Sequence, residues 1–375
     1  MKQPPRSLRS LPPEGPGQLL GAALRAMTNR HLVAALVVAI VASGCGMRLQ
    51  KPEADIVPLP PPPVTDRALE DRILALEPEH VTPADVRDVL AKGPTPRIML
   101  LHGGIYPVQY AMESFGKFLV EMGYPEDKIR DPFDGSWSHS PYEDAERLAG
   151  FAAWYYEKTG MPPMLIGHSQ GGMQAVKVLH ALNGYYSDAI HVWNPLTDFA
   201  EDRTAIVDPL TGRRQPVVGM RLAYVSAVGA GGAAFLLPNQ WSLLGKLRTI
   251  PDTVEEFVGY SIEVDFWAWT LPGLDATRKY ENGGKAHVRN VTLPAGISHV
   301  TAPASSQIPR KPAERAWIDA YFPGTTVPPP DGSEDNLGWA ADVWFDVKKY
   351  WVIEAQRYIR AKRQPPGRAV AGELK

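Results

Sequence analysis

The sequence has a single cysteine, Cys45, among 375 residues, which excludes any disulfide within the chain. Its charges nearly cancel, with a formal net charge of −2, so no basic excess indicates a nucleic-acid partner. It contains no internal repeat, phosphate-binding glycine loop, dinucleotide fingerprint or cluster of metal ligands, and we therefore expect no cofactor and no metal. No apolar run reaches the ~20 residues of a membrane-spanning helix. These absences favour an ordinary globular protein.

The residues before Cys45 have the three parts of an export signal. A short basic region begins at Met27, an apolar run covers 32–41, and small residues lead to the cysteine. The stretch Ala-Ser-Gly-Cys that ends at Cys45 resembles a bacterial lipobox, which implies cleavage before Cys45 and a lipid on its sulfur. We therefore expect residues 1–44 to be a signal or propeptide, with Met27 as an alternative start.

A proline-rich stretch follows the cysteine, with five prolines between residues 58 and 63. Such a run favours the extended polyproline II conformation and makes a semi-rigid spacer. We expect residues 45–65 to be a lipidated linker that attaches a folded domain, 66–375, to a membrane. Gly46, by resemblance to Gram-negative lipoproteins, implies sorting to the outer membrane. The expected location is the cell envelope, on its periplasmic face.

Beyond residue 66, short apolar runs alternate with patterns of helical period. Strands that alternate with helices of about ten or more residues predict an α/β fold, a mostly parallel central sheet with helices on both faces. Helix 336–360 has an apolar face that should cover the core, although it is also open to interpretation as a partner-binding helix. The strands are predicted at 97–101, 128–133, 163–167, 189–193, 264–271 and 287–293, and the other helices at 66–76, 82–92, 107–122, 142–158 and 171–182.

The segment 199–262 has two interpretations. It contains an apolar, glycine-rich stretch at 222–237, which is too short to span a membrane. This stretch is either part of the core, as a strand or a helix pair, or it belongs to a lid that supplies an apolar pocket for an acyl chain.

The motif that carries chemistry is Gly167-His168-Ser169-Gln170-Gly171, which has the pattern G-x-S-x-G. It lies between a predicted buried strand and a predicted amphipathic helix, the context in which such a serine projects from a sharp turn. Glycine at both flanking positions removes the Cβ atoms that would clash in this turn. The motif therefore predicts Ser169 as a nucleophile.

A serine nucleophile needs an oxyanion hole made of two backbone N–H groups. One is the N–H of Gln170, directly after the serine. The other is expected in the loop after the earlier strand, where His102-Gly103-Gly104-Ile105 stands. With an H-G motif here and G-H-S-x-G at the turn, the chain resembles the α/β-hydrolase family, in particular its bacterial lipases and esterases. The resemblance implies Gly104 as the second donor, with Ile105 as the neighbouring candidate and His102 as a structural turn residue.

The general base must be a histidine at the carboxyl edge of the sheet. Of the nine histidines, only His299 follows a predicted late strand, 287–293, in a loop at that edge. The acid should precede it along the chain. Asp275, placed at the carboxyl end of the predicted strand 264–271, is the preferred acid, with Asp198 and Glu281 as alternatives.

These residues predict a serine hydrolase that cleaves carboxylic esters through an acyl-enzyme, with a small-molecule or lipid ester as substrate and a membrane contact through Cys45. Thioesterase and acyltransferase activities begin with the same acyl-serine and stay open. A function of a different class is a non-catalytic envelope lipoprotein that uses the hydrolase fold to bind a ligand or partner.

Overall fold

A computed structural model describes residues 66–269 and 279–364 of the chain. Five strands form one sheet in which every neighbouring pair is parallel and the spatial order follows the order along the chain. All carboxyl ends therefore lie at one edge, and the α/β fold with a parallel central sheet is confirmed. The strands are β1 (Ile98–Leu101), β2 (Met164–His168), β3 (Leu222–Val228), β4 (Val254–Ile262) and β5 (His287–Leu293).

Helices connect and flank these strands, and several begin where the sequence carries a capping signal. The Asp66 side chain accepts the Leu69 N–H at 2.7 Å, and Thr82 forms a reciprocal capping box with Asp85. The α-helices of the described residues are α1 (Arg67–Leu74), α2 (Pro83–Asp88), α3 (Tyr106–Glu121), α4 (Ala145–Thr159), α5 (Gln170–Leu182), α6 (Pro312–Asp319) and α7 (Leu337–Arg363).

Shorter elements lie outside the central sheet. Two antiparallel ribbons and one short parallel pair cover two or three residues on each strand. They are Trp193–Asn194 with Phe199–Ala200, Ala205–Val207 with Arg214–Pro216, and Thr249–Ile250 with Glu281–Asn282; the 3-10 segments are Leu90–Lys92, Glu126–Lys128, Gly232–Leu236, Pro238–Leu243 and Ile308–Arg310.

Hydrophobic clusters cover both faces of the sheet, and in β1 alternate residues belong to different clusters. Along β1, Ile98 and Leu100 pack into the cluster that includes α3 and α7, whereas Met99 and Leu101 pack into the cluster that includes α4 and α5. This explains why the strands read as continuous apolar runs rather than as alternating ones.

Helix α7 covers the core, as its apolar spacing predicts. The residues that recur at helical spacing, Trp344, Val347, Tyr350, Trp351 and Ala355, are all buried. The indole N–H of Trp351 also donates to a loop carbonyl ahead of β1, at 3.1 Å. The helix is therefore part of the folded domain and closes one side of the sheet.

Two of the predicted strands are wrong. Residues 128–133 form a turn, in which the Asp131 side chain accepts the N–H of Phe133 at 2.8 Å, and the sheet edge there has one parallel bridge between Leu101 and His139. Residues 189–193 contribute only Trp193 to a short antiparallel ribbon. At 128–133 local turns satisfy the backbone instead of a sheet neighbour, whereas at 189–193 the Val192 N–H donates to the Arg203 carbonyl at 2.9 Å, outside the central sheet.

The third error concerns the region before the last strand. The predicted strand 264–271 is not present in its described part, because β4 ends at Ile262 and residues 264–269 form turns. The segment 199–262 contains both β3 and β4, so the core interpretation holds for these two strands. The lid stays a prediction only for the two 3-10 segments between these strands.

Candidate active site

Ser169 occupies the sharp turn between the end of β2 and the start of α5. Its backbone has φ 55° and ψ −123°, a conformation that costs a non-glycine residue roughly 1–3 kcal/mol. Main-chain bonds hold the turn: the Ser169 N–H donates to the Val228 carbonyl at 2.8 Å, and the Ser169 carbonyl accepts from the Met173 N–H at 3.2 Å. The strained turn presents the serine at the carboxyl edge of the sheet.

The glycines that flank this turn are required by close contacts of the backbone. A Cβ on Gly167 would lie 2.5 Å from the carbonyl oxygen of Gly171, and a Cβ on Gly171 would overlap the carbonyl oxygen of Leu101. Larger residues would therefore push α5 away from the sheet. The G-x-S-x-G spacing follows from this packing.

The imidazole of His299, in the loop after β5, reaches the serine. Its Nε2 lies 2.8 Å from Ser169 Oγ, and its Nδ1 lies 2.6 Å from Asp265 Oδ2. Because a carboxylate can only accept a hydrogen bond, Nδ1 carries the proton and Nε2 is free to accept the serine hydroxyl proton. The structure thus brings the predicted Ser169 and His299 together in the arrangement that a general base needs.

Among the described residues, the carboxylate that contacts His299 belongs to Asp265; the predicted acid, Asp275, lies outside the described residues. In a strand over 264–271, Asp265 would lie at the opening end, away from the carboxyl edge. Since β4 ends at Ile262, Asp265 lies just beyond the carboxyl end of a strand, where an acid can face the histidine. The residues after Asp265 are rich in aromatic side chains, which are enriched in strands. Their composition therefore predicted a strand beyond the real end of β4.

The Asp265 side chain is buried and its second oxygen is also engaged. Oδ1 accepts the N–H groups of Trp267 and Ala268 at 2.9 and 3.0 Å. These bonds make an aspartate turn and fix the carboxylate toward His299. Aspartate is rare in strands and common at the start of turns. This preference is the sequence signal that could have identified Asp265.

The two alternative acids lie elsewhere. Asp198 forms an ion pair with Arg147 on α4. Glu281 is exposed and lies in the short strand that pairs with Thr249–Ile250. Neither carboxylate contacts His299.

His168 is a site residue that sequence reasoning missed. It is fully buried, and its Nε2 lies 2.7 Å from the backbone carbonyl oxygen of His299. A carbonyl can only accept, so Nε2 carries the proton. Burial lowers the pKa of His168 well below its usual value, and the nearby His299 lowers it further, so the ring is neutral.

Gly229, directly after β3, leaves the space that the imidazole occupies. Its φ is +62°, and a Cβ there would lie 3.0 Å from both Cε1 and Nδ1 of His299 and 3.5 Å from Asp265 Oδ2. Its own N–H donates to the Tyr260 carbonyl at 3.0 Å. The glycine therefore serves both the left-handed turn and the packing of the histidine.

The turn after β1 lies against the nucleophile, as expected for an oxyanion hole. A Cβ on Gly103 would lie 3.0 Å from the Ser169 Cβ, and a Cβ on Gly104 would overlap the side-chain oxygen of Gln170. Within the described part of the chain, the N–H groups of Gly104, Ile105 and Gln170 donate to no acceptor. These are the groups that could bind a developing oxyanion.

Exposed aromatic side chains follow Asp265 and the turn after β1 along the chain, and one of them stacks on His299. The Trp267 ring stacks on His299 with centroids 6.4 Å apart and remains 36% exposed. Its neighbours Phe266 and Trp269 are 74% and 48% exposed, and Tyr106, just beyond the oxyanion turn, is 68% exposed. We call Tyr106, Phe266, Trp267 and Trp269 the aromatic rim; exposed apolar side chains that lie together mark a candidate binding surface.

Among the described residues, no group of three or more His, Cys, Asp or Glu side chains could hold a metal ion, and no helix is long and apolar enough to cross a membrane. Cys45 and the predicted signal and linker lie outside the described residues. A scan of protein-family models and a search of curated proteins found nothing that matches this chain.

Proposed function

We propose that the protein is a serine hydrolase that cleaves carboxylic esters through an acyl-enzyme, with Ser169 as nucleophile, His299 as base and Asp265 as the acid that orients it. The observation that carries the proposal is the continuous hydrogen-bonded series, 2.8 Å from Ser169 Oγ to His299 and 2.6 Å from His299 to Asp265. A strained serine turn and free backbone donors beside it add to this.

In the first half-reaction, Ser169 Oγ attacks the ester carbonyl carbon and its proton passes to His299 Nε2. The N–H of Gln170, with that of Gly104 or Ile105, stabilises the negative charge on the carbonyl oxygen. The tetrahedral intermediate then expels the alkoxide, which takes the proton from Nε2 and leaves as an alcohol. The product of this half-reaction is an acyl group on Ser169.

In the second half-reaction, water attacks the acyl carbon while His299 takes its proton. The second tetrahedral intermediate collapses, the carboxylic acid leaves, and Ser169 Oγ regains its proton from Nε2. Asp265 accepts from Nδ1 throughout, so it holds the productive tautomer and stabilises the imidazolium.

The order of functional parts along the sheet supports an α/β-hydrolase type of fold. The oxyanion turn follows β1, the serine follows β2, the acid follows β4 and the histidine follows β5, which is the Ser-Asp-His chain order of that family. Within residues 66–269 and 279–364, β1 has a single bridge on its outer side, between Leu101 and His139, so the described sheet is short.

The aromatic rim favours esters with apolar acyl or alcohol groups, including lipid esters. Thioesters would react by the same acyl-serine, and an alcohol in place of water would make the protein an acyltransferase. The strained turn at Ser169 favours catalysis over a role in ligand binding alone, because binding does not require a strained serine.

We also propose that the chain is exported and attached to the cell envelope by a lipid on Cys45. The support is the lipobox-like stretch before Cys45 and the proline-rich linker after it. Expression with radiolabelled palmitate should label the parent and not the Cys45→Ala variant, and equal labelling of both would remove this proposal.

The activity is tested on the full-length chain in detergent, with p-nitrophenyl esters of graded acyl length. The parent should hydrolyse at least one ester, and Ser169→Ala should lose several orders of magnitude in kcat/KM. Ser187→Ala is the matched control, because among the described residues that hydroxyl bonds only with the backbone of Ala189, within its own turn. Hydrolysis that survives in Ser169→Ala, or a fluorophosphonate that fails to label Ser169, would refute the serine mechanism.

A further inference from the structure

The turn after β1 presents two successive peptide groups to the nucleophile, and each has its carbonyl held by a side chain. The peptide bonds of the described residues are trans, so the N–H of each peptide points opposite to its carbonyl. A bond that fixes the carbonyl therefore also fixes the direction of the N–H. This applies to the Gly103–Gly104 and Gly104–Ile105 peptides, whose N–H groups are the candidate oxyanion donors.

The first peptide is held by His102. The ring Nδ1 of His102 lies 2.7 Å from the carbonyl oxygen of Gly103, so Nδ1 carries a proton and donates it. The bond turns the Gly104 N–H away from the His102 ring. Burial lowers the pKa of His102, and in the neutral ring the carbonyl acceptor selects the tautomer with its proton on Nδ1.

The second peptide is held by Tyr142. Its hydroxyl donates to the Gly104 carbonyl oxygen at 3.1 Å, across 38 residues of chain. Because the peptide is trans, this bond turns the Ile105 N–H away from the Tyr142 hydroxyl. Partial burial raises the pKa of Tyr142, so its hydroxyl stays a donor in neutral solution.

The loop that carries Tyr142 is itself anchored to the nucleophile helix. The side-chain amide of Gln174, one turn after Gln170 on α5, donates to the Glu143 carbonyl at 2.6 Å. The Glu143 carboxylate accepts the Ser140 N–H at 2.8 Å and contacts His139 at 3.5 Å. The tyrosine hydroxyl is thus tied to the same helix that provides the other oxyanion donor.

We propose that His102 and Tyr142 are positioning residues that orient the two N–H groups of the oxyanion turn. They act through the carbonyls of Gly103 and Gly104, and touch neither the substrate nor the reacting atoms. The inference rests on the proposed serine hydrolase activity. It also revises the role of His102, which sequence reasoning treated as a residue of the turn alone.

The test uses the full-length chain and the variants Tyr142→Phe, His102→Ala and His102→Asn. Removal of either donor should lower kcat by about tenfold with little change in KM, less than the roughly 10²–10³-fold loss expected for a direct oxyanion donor. His102→Asn should recover most of the loss, because the amide nitrogen of asparagine can occupy the position of Nδ1. Tyr110→Phe should behave like the parent, since that hydroxyl bonds only to Tyr106, at 2.6 Å.

A second measurement separates orientation from folding. Affinity for an alkylboronic acid, which forms a tetrahedral adduct on the serine, should weaken about as much as kcat falls in Tyr142→Phe and His102→Ala. Equal kcat in parent and both variants would overturn the inference while leaving the proposed function intact. A rise in KM alone would also overturn it, since it would identify a substrate contact. A parent as inactive as Ser169→Ala would overturn both proposals.

Discussion

The side chain of His168 donates a hydrogen bond to the backbone carbonyl of His299, with 2.7 Å between Nε2 and the oxygen. His168 immediately precedes Ser169 on β2, so one residue joins the serine turn to the loop that carries the base. The two imidazole rings lie 5.1 Å apart. The separation of Ser169 and His299 therefore depends on a bond that includes neither reacting atom.

Loss of this bond should misplace the base without removing it. His168→Ala is expected to lower kcat about ten- to a hundredfold, the scale of a displacement near 1 Å. His168→Gln, which keeps a donor near the position of Nε2, should recover part of the loss. His191→Ala is the matched control, because His191 forms the same kind of bond to a carbonyl at 3.0 Å on an exposed surface. Identical kinetics for His168→Ala and His191→Ala would contradict the role of His168.

Exchange of the acid tests which aspartate orients His299. Asp265→Asn should lower kcat by about 10⁴-fold, because an amide can donate to Nδ1 and so favours the wrong tautomer. Asp275→Asn should retain nearly full activity. Steady-state kinetics of both variants decide the matter, and a larger loss in Asp275→Asn would restore the acid that the sequence favoured.

A substitution at Gly229 would have two effects, strain in a backbone with positive φ and contact of the new side chain with the His299 ring. A second glycine separates these effects. Gly229→Ala and Gly212→Ala both place a side chain at a similar positive φ, of +62° and +69°, so both should lose about 1 kcal/mol of stability. Only the alanine at 229 meets the His299 ring, since nothing lies within 4 Å of the Cβ position at 212. We expect kcat to fall at least tenfold in Gly229→Ala alone. A similar fall in Gly212→Ala would show that strain, and not the histidine, is responsible.

Glu143 should give the protein an acid-sensitive stability. Burial by itself would raise the pKa of Glu143, but the charges of His139 and Arg147 outweigh burial and lower it to about 2. A carboxyl with a depressed folded pKa stabilises the fold above its unfolded value, here 4.5, and this stability is lost as the pH falls toward 2.

The variant Glu143→Gln should therefore be about 3–4 kcal/mol less stable than the parent at pH 7, since the pKa of Glu143 falls from 4.5 to about 2 and each pKa unit is worth ~1.4 kcal/mol. The difference should shrink as the pH is lowered through the window from 4.5 to 2. Urea unfolding at pH 7 and pH 3 measures it. Glu113→Gln, which breaks the partly exposed Lys117 pair, should cost well under 1 kcal/mol at both pH values. A gap for Glu143→Gln that is constant with pH would exclude the ion pair as its cause.

Sequence patterns placed the elements whose signals are local. The bounds of β5 were predicted without error, and those of β1, β2 and α5 within one residue, because apolar runs, caps and glycines mark their ends. The prediction failed where local turns compete with sheet pairing, as at residues 128–133, and where aromatic composition imitates a strand, as at 264–271.

The sequence by itself determined the position of the proposed nucleophile, Ser169. The steric needs of the Ser169 turn involve close neighbours, and the Gly167–Gly171 contact spans four residues, so the motif is readable without the fold. The chain order also indicated His299, since a loop after the last parallel strand must lie at the carboxyl edge.

The tertiary structure alone decided the partners of these two residues. Asp265 meets His299 because β4 and β5 pair in parallel and end at the same edge, with Ile262 opposite Leu293. His168 and Tyr142 reach their carbonyl acceptors across 131 and 38 residues. Such bonds depend on the direction of a side chain and on the residue at which a strand ends. The spacing of residues along the chain specifies neither of these.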